Sequence, residues 1–266
     1  MNIQMATASS SLSQTQKKMD TIANNIANVN TAGYKSREAT FQNLLTQTYA
    51  NQTGEEAEPG RVTPENLRVG FGSKVGLTTL RNEQGSAQKT GRNLDVMLEG
   101  ENVYFRVQNG DAINYTRDGS FEIQNQNGVF SLVTSRGNTV LDPNGNAITF
   151  RTNPSEVSIS DTGELAATDS NGNEQTFQLS IAKIDRPQAL MNVGGNEFSL
   201  QENGDLELVA LDGAEYKTRQ GYLEMSNVDL TNETTEMIST QRLLQFQSQA
   251  IKMADEMMGL ANTIKR

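Results

Sequence analysis

Asp161 and Glu164 flank Gly163, and a pair of carboxylates is the least equipment that glycoside hydrolysis needs. Neighbours in one turn rarely face a sugar bond from opposite sides, so these two read as solvated turn acids. "DPNGNA" from Asp142 and "DSNGNE" from Asp169 open like calcium loops, which want oxygen ligands at alternating positions. Neither carries glycine at the sixth loop position, and the twelfth is Asn153 in one and Ser180 in the other, not a bidentate glutamate. "GFGSKVG" has glycines that could approach a phosphate, but its spacing is not the dinucleotide fingerprint and no periodic helix follows it.

The composition narrows the chemistry further. Among 266 residues there is no cysteine, no histidine and no tryptophan. Thiol catalysis, disulfides and thiolate metal sites are thereby excluded, as are the usual general base and the favoured transition-metal ligand. No catalytic residue, no metal ligand and no cofactor site is expected, and the chain is not expected to be an enzyme. The formal charge of −10 argues against nucleic acid as a partner, which would call for a basic face. No stretch approaches the roughly 20 apolar residues of a membrane span. The opening "MNIQMATASSSLSQTQKK" lacks the basic start and apolar run of a cleaved secretory signal. That leaves a cytosolic protein or one exported with its amino end intact.

Two helices and a β-rich middle are what the patterning predicts. Met5, Leu12, Met19 and Ile26 recur every seven residues, with Ala8, Thr15, Ile22 and Val29 interleaved. This is a heptad stripe, the pattern of a helix that packs along its length on another. Leu230, Met237, Leu244, Ile251 and Met258 repeat the pattern near the carboxy end, and Leu243, Ala250, Met257 and Ile264 form a neighbouring series. Between the ends, turn dipeptides recur at Asn109-Gly110, Asp118-Gly119, Asn127-Gly128, Arg136-Gly137 and Asn144-Gly145. They return at Thr162-Gly163, Asn171-Gly172, Asn203-Gly204 and Asp212-Gly213. Such spacing is the rhythm of short hairpin-linked strands. The expected fold is α+β: paired long terminal helices, coiled-coil-like, and a central antiparallel all-β domain. The expected division is a discontinuous helical assembly domain at 1–35 and 225–266, an extended polar linker at 36–74, and the β domain at 75–224.

A helix pair alone leaves the stripes underemployed. Each sizeable apolar residue contributes roughly 1.5–3 kcal/mol when fully buried, against roughly 1–2 kcal/mol of backbone entropy for every ordered residue. Pairing covers one face of each helix, and Phe246 and Met253 still lie outside it. Packing against other molecules is therefore the favoured reading.

"ANNIANVNTAGYKS" resembles the amino-terminal signature of the bacterial flagellar axial proteins, the rod and hook family. "GYLEMSNVDLTNETTEMISTQRLLQFQSQAIKMADEMMGLAN" resembles the carboxy-terminal signature, above all that of the distal rod branch or a rod–hook paralogue. "TGRNLDVMLEG" and "YTRDGSF" are similar to the centre of rod and hook β domains. One departure stands out: the family commonly continues with a second glycine and paired phenylalanines, where this chain has Glu101-Asn102-Val103-Tyr104-Phe105.

The resemblance implies a structural subunit of the flagellar basal body that self-assembles through its terminal helices into a tubular, torque-transmitting axial structure. Its implied partners are further copies, other rod and hook subunits, and the flagellar type III export apparatus. The implied location is the basal body, reached without a cleaved signal peptide or membrane insertion. The competing readings are a secreted cell-wall-acting protein and a coiled-coil export chaperone or regulator. The expected assembly interface is Met5, Leu12, Met19, Ile22, Ile26 and Val29 against Met237, Leu244, Ile251 and Met258. Asn24, Asn25, Asn28 and Asn30 are expected on its flanks and outer side, where amides can bond neighbouring helices. Gly33 and Tyr34 are expected to lead the chain away from the helix. The competing reading of this stretch is a helix end, with Asn30 and Gly33 as turn and cap.

Overall fold

A computed structural model describes residues 2–43, 46–49, 67–70, 73–126, 128–200, 209–210 and 216–264. The turns expected at Asn203-Gly204 and Asp212-Gly213 lie outside the described residues. The chain forms two compact units, one of Met1–Asn24, Arg37–Thr79 and Thr231–Arg266, the other of Asn25–Ser36 and Leu80–Leu230.

The first unit holds the long helices. Helix α1 spans Asn2–Ala27 and α2 spans Leu230–Ile264. In α1, Met5, Leu12 and Met19 are half-buried and Ile22 is buried, as the heptad stripe requires. In α2, Met237, Leu244, Ile251 and Met258 are half-buried, as are Glu233, Gln247 and Ala254, and Thr240 is buried. Lys18 Nζ reaches Glu236 Oε1 at 2.5 Å and lies 5.8 Å from the centre of the Phe41 ring. Residues 36–74, expected as a linker, carry strands instead: β1 (Arg37–Asn43), β2 (Thr46–Tyr49), β3 (Leu67–Gly70) and the start of β4 (Ser73–Leu80). β1 pairs with β4, and β2 runs antiparallel to β3. A two-stranded ribbon satisfies its own backbone and tolerates water on both faces, so polar composition does not forbid it.

The second unit is antiparallel β structure. Its strands are β5 (Ala87–Lys89), β6 (Val96–Glu99), β7 (Val103–Asn109), β8 (Ala112–Thr116), β9 (Phe121–Gln126) and β10 (Val129–Thr134). There follow β11 (Thr139–Val140), β12 (Thr149–Phe150), β13 (Pro154–Ile159), β14 (Glu164–Asp169) and β15 (Glu174–Gln178). The last are β16 (Ile181–Lys183), β17 (Leu190–Gly194), β18 (Glu197–Leu200), β19 (Val209–Ala210), β20 (Lys217–Gln220) and β21 (Tyr222–Glu224).

The main sheet runs β12-β10-β11-β7-β8-β18-β17, with β16 joined to β7 and β9 to β10. β13, β14 and β15 form a separate meander, β20 pairs with β6, and β21 pairs with β5. Both faces of the sheet are covered, which explains the apolar run Val103-Tyr104-Phe105 that opens β7. Phe105 and Val107 point into one core with Val96, Leu98, Phe121 and Leu165; Tyr104 points into another with Tyr115, Ile184 and Phe198.

Gly110, Gly128, Gly137, Gly145, Gly163 and Gly172 all take positive φ between 61° and 87°, the hairpin conformation that the dipeptide rhythm predicts. Asp118-Gly119 differs. Gly119 has no positive φ; it is glycine because a Cβ there would stand 1.8 Å from the Val96 carbonyl oxygen. The pair therefore marks a close crossing of two chain segments and not a hairpin. Asn102, at the place where the sequence leaves the family pattern, adopts φ 58°, a left-handed conformation that asparagine tolerates.

Candidate assembly site

Helix α1 ends at Ala27, where the amides of Asn28 and Val29 bond the Asn25 and Ile26 carbonyls in a tightened final turn. The chain then folds back, and Tyr34 donates its hydroxyl to Asn25 Oδ1 at 3.1 Å. Gly33, at φ 68°, sits against the Arg117–Asp118 backbone, where a Cβ would lie 2.4 Å from the Asp118 nitrogen. Its amide donates to the Glu224 carbonyl at 2.8 Å. Residues 25–36 thus form a strap lying on the β unit. Asn196 Nδ2 holds the Ala32 carbonyl, and Asn227 accepts the Ser36 amide while donating to the Arg81 and Glu83 carbonyls.

Under the strap lies a buried knot of charge. Lys35 Nζ donates to Glu224 Oε1 at 2.6 Å and to the Glu83 carbonyl at 2.7 Å. Arg117 donates to Glu224 Oε2 at 3.1 Å and to the carbonyls of Leu98 and Gly100. The Gly85 amide completes Oε1 at 2.9 Å. All three charged side chains are at most 1% exposed. Burial drives the Lys35 ammonium below its usual value, against the pull of Glu224 and with the push of Arg117. The Arg117 guanidinium also lies 5.4 Å over the Tyr104 ring, whose phenol is raised by burial and donates to Asn82. Beside the knot, burial raises the Asp118 carboxyl above its usual range, although Oδ1 accepts from both the amide and the hydroxyl of Ser120.

Four stretches singled out in the sequence converge here: "AGYKS" supplies Lys35, "YTRDGSF" Arg117, "GYLEMSN" Glu224, and "LDVMLEG" the carbonyls that Arg117 ties down. None of the three charged residues is among the interface residues expected from the sequence. A charge standing in each of several widely spaced signatures was the available signal, because a buried charge requires a partner.

The expected interface residues separate into groups. Met5, Leu12, Met19, Ile26, Val29, Met237, Leu244, Ile251 and Met258 are half-buried along the helices and their ends, and Ile22 is buried. Asn24 is exposed and its side chain bonds the Asp20 carbonyl of its own helix. Asn25 is a correction: it lies 2% exposed beneath Tyr34, not on an outer flank, because the chain doubles back over the helix end. Asn28 Oδ1 accepts from the Thr31 hydroxyl, and Asn30 is exposed. Gly33 and Tyr34 are buried in the strap and do not lead the chain outward at that point.

A second apolar seam on α2 is open. Leu243, Phe246, Ala250, Met253, Met257 and Leu260 follow one another at intervals of three and four, and all are exposed. Phe246 is 68% exposed, Met257 58% and Leu260 64%. An apolar stripe of this length facing water is the mark of a protein–protein surface.

The acids that suggested chemistry are ordinary turn residues. Asp161 and Glu164 are both exposed around Gly163. Asp142 Oδ1 accepts the Asn146 amide and Asp169 Oδ1 the Ser170 amide, as hairpin turns do. No cluster of acidic residues suited to a metal ion occurs among the described residues. Nor is any helix among them long and apolar enough to cross a membrane.

Three family profiles match the chain in sequence order. Residues 5–35 match the flagella basal body rod protein, 97–167 the flagellar hook protein FlgE/F/G D1 domain, and 219–264 the flagellar basal body rod FlgEFG protein C-terminal region. Among similar proteins, the flagellar hook-basal body complex protein FlhP of Bacillus subtilis is 37% identical over 98% of both chains. The flagellar basal-body rod protein FlgG of Borreliella burgdorferi is 37% identical over 98% of this chain and 97% of its own. FlgG of Bacillus subtilis is 36% identical over 94% of each.

Proposed function

From the premise that the chain belongs to the flagellar basal-body rod and hook family, close to its distal rod members, we propose how it assembles. It is a structural subunit of the basal-body rod and not an enzyme. The readings as a cell-wall-acting protein or an export chaperone draw no support from its relatives.

Helices α1 and α2 pair along their half-buried stripes, Met5, Leu12, Met19 and Ile22 facing Met237, Leu244, Ile251 and Met258. The Lys18–Glu236 ion pair supports that arrangement. The open α2 seam then packs on further copies and on neighbouring rod or hook subunits, in knobs-into-holes fashion at heptad spacing. In this reading the helical regions, 1–35 and 225–266 by the sequence division, build the tube. In this reading subunits reach the flagellum through the type III export apparatus.

The observation carrying the assembly reading is the exposed seam from Leu243 to Leu260. Its test is Phe246→Glu with Met253→Glu in the chromosomal copy, followed by motility assays and electron microscopy of isolated basal bodies. The expected result is loss of the rod beyond the point where this subunit enters, with the purified variant folded. Normal basal bodies and swimming from that variant would overturn the reading.

A further inference from the structure

One carboxylate serves two buried cations, and the three groups arrive from distant parts of the chain. Lys35 comes from the strap after α1, Arg117 from the crossing between β8 and β9, and Glu224 from β21. The strand that fills the centre of the main core depends on the same late segment. β6 contributes Val96 and Leu98, both 0% exposed, and its ladder partner is β20, from Lys217↔Glu99 to Gln220↔Val96. β5 is paired by β21, from Tyr222↔Lys89 to Glu224↔Ala87. The strap is tied to that segment too, through the Gly33 amide on the Glu224 carbonyl.

Without Glu224, two cations would be left in an apolar interior with one another as company. Without Lys35 or Arg117, Glu224 keeps a single cation, and the carboxylate oxygen that the missing group held loses its charge-assisted hydrogen bond. Breaking a buried pair on one side is far more damaging than its presence is stabilising. The costliest partial state is therefore the one in which the strap docks before Glu224 has arrived.

We propose that the knot is a completion lock: the β unit closes its core only when the strap 25–36 and the late strands 217–224 dock together. Lys35 and Glu224 are its two positioning residues, acting through each other. A chain emerging amino end first accordingly keeps the segment from Leu80 onward open until Glu224 has entered. The inference concerns folding within one chain, so it stands or falls apart from the helix-seam reading.

Pulse-labelled hydrogen exchange during refolding of the full-length protein tests it. The amides of Val96–Glu99 and Val103–Asn109 should gain protection in the same kinetic phase as Gly33 and Lys217–Glu224. In native-state exchange, Lys35→Met should accelerate β6 and β7 together with the strap by about tenfold, and Glu224→Gln by about 100-fold or to complete loss. The lock is overturned if β6 and β7 become protected in an earlier phase while Gly33 still exchanges. It is equally overturned if Lys35→Met loosens residues 25–36 alone and β6 keeps wild-type protection.

Discussion

Lys35 and Glu224, 189 residues apart in the chain, meet at 2.6 Å in a site where each is 1% exposed. A contact so distant in sequence and so completely desolvated joins the segment leaving the first helix to the strand that precedes the last.

Gly33, the single glycine of the strap, should resist replacement. Alanine there incurs left-handed strain and drives a Cβ to 2.4 Å from the Asp118 nitrogen. Gly33→Ala is expected to lower unfolding stability by about 3 kcal/mol, combining strain of about 1–2 kcal/mol with the clash. Gly145→Ala, whose Cβ would meet nothing within 4 Å, should lose only the strain. Urea unfolding of both variants followed by tyrosine fluorescence checks the difference, and equal losses would contradict it.

Asn25 is a fold residue in this geometry, not a docking amide. Asn25→Asp places a carboxylate beneath Tyr34 at a 2%-exposed position, so a loss of about 2 kcal/mol or more is expected. Asn30→Asp, on an exposed turn, should stay within about 0.5 kcal/mol of wild type. Thermal melts of purified monomer separate the two.

Asp118 predicts a pH signature. Burial raises its folded carboxyl above the unfolded value of 3.8, so the favourable contribution is full below 3.8 and is lost as pH climbs through the raised value. Asparagine keeps the Oδ1 acceptor for Ser120 and removes the titration. Asp118→Asn should therefore gain stability relative to wild type between acid and neutral pH. Unfolding midpoints measured from pH 3.5 to 7 give the curve, and parallel curves would refute the assignment.

The Lys18–Glu236 pair should matter little to stability. Its side chains are 25% and 47% exposed, and such pairs contribute about 0–1 kcal/mol. Lys18→Ala is expected to shift the unfolding midpoint slightly, with the shift vanishing in high salt. A loss of several kcal/mol would show the pair to be buried in a tighter contact.

Much of the architecture was legible locally. The seven-residue spacing from Met5 to Ile26 and from Met237 to Met258 foretold both helices, and Asn-Gly and Thr-Gly dipeptides foretold the hairpins. The misreadings share a cause. Asp118-Gly119 looks like another hairpin in the sequence, and only the nearby Val96 carbonyl explains its glycine. The asparagines after Ile22 look like an outward face because the helical period cannot foresee that Tyr34 returns over Asn25.

By itself the sequence determined what depends on neighbours: periodicity, turn chemistry, the absence of histidine and cysteine, and the signatures of the family. The tertiary structure decided which charges are buried and with whom. Arg117 stands 107 residues from Glu224, and Lys35 189. Helical and hairpin patterns arise from contacts a few residues apart, which composition and spacing record directly. A desolvated ion knot depends on long-range packing that removes water from all three groups at once, and no local pattern records where that happens.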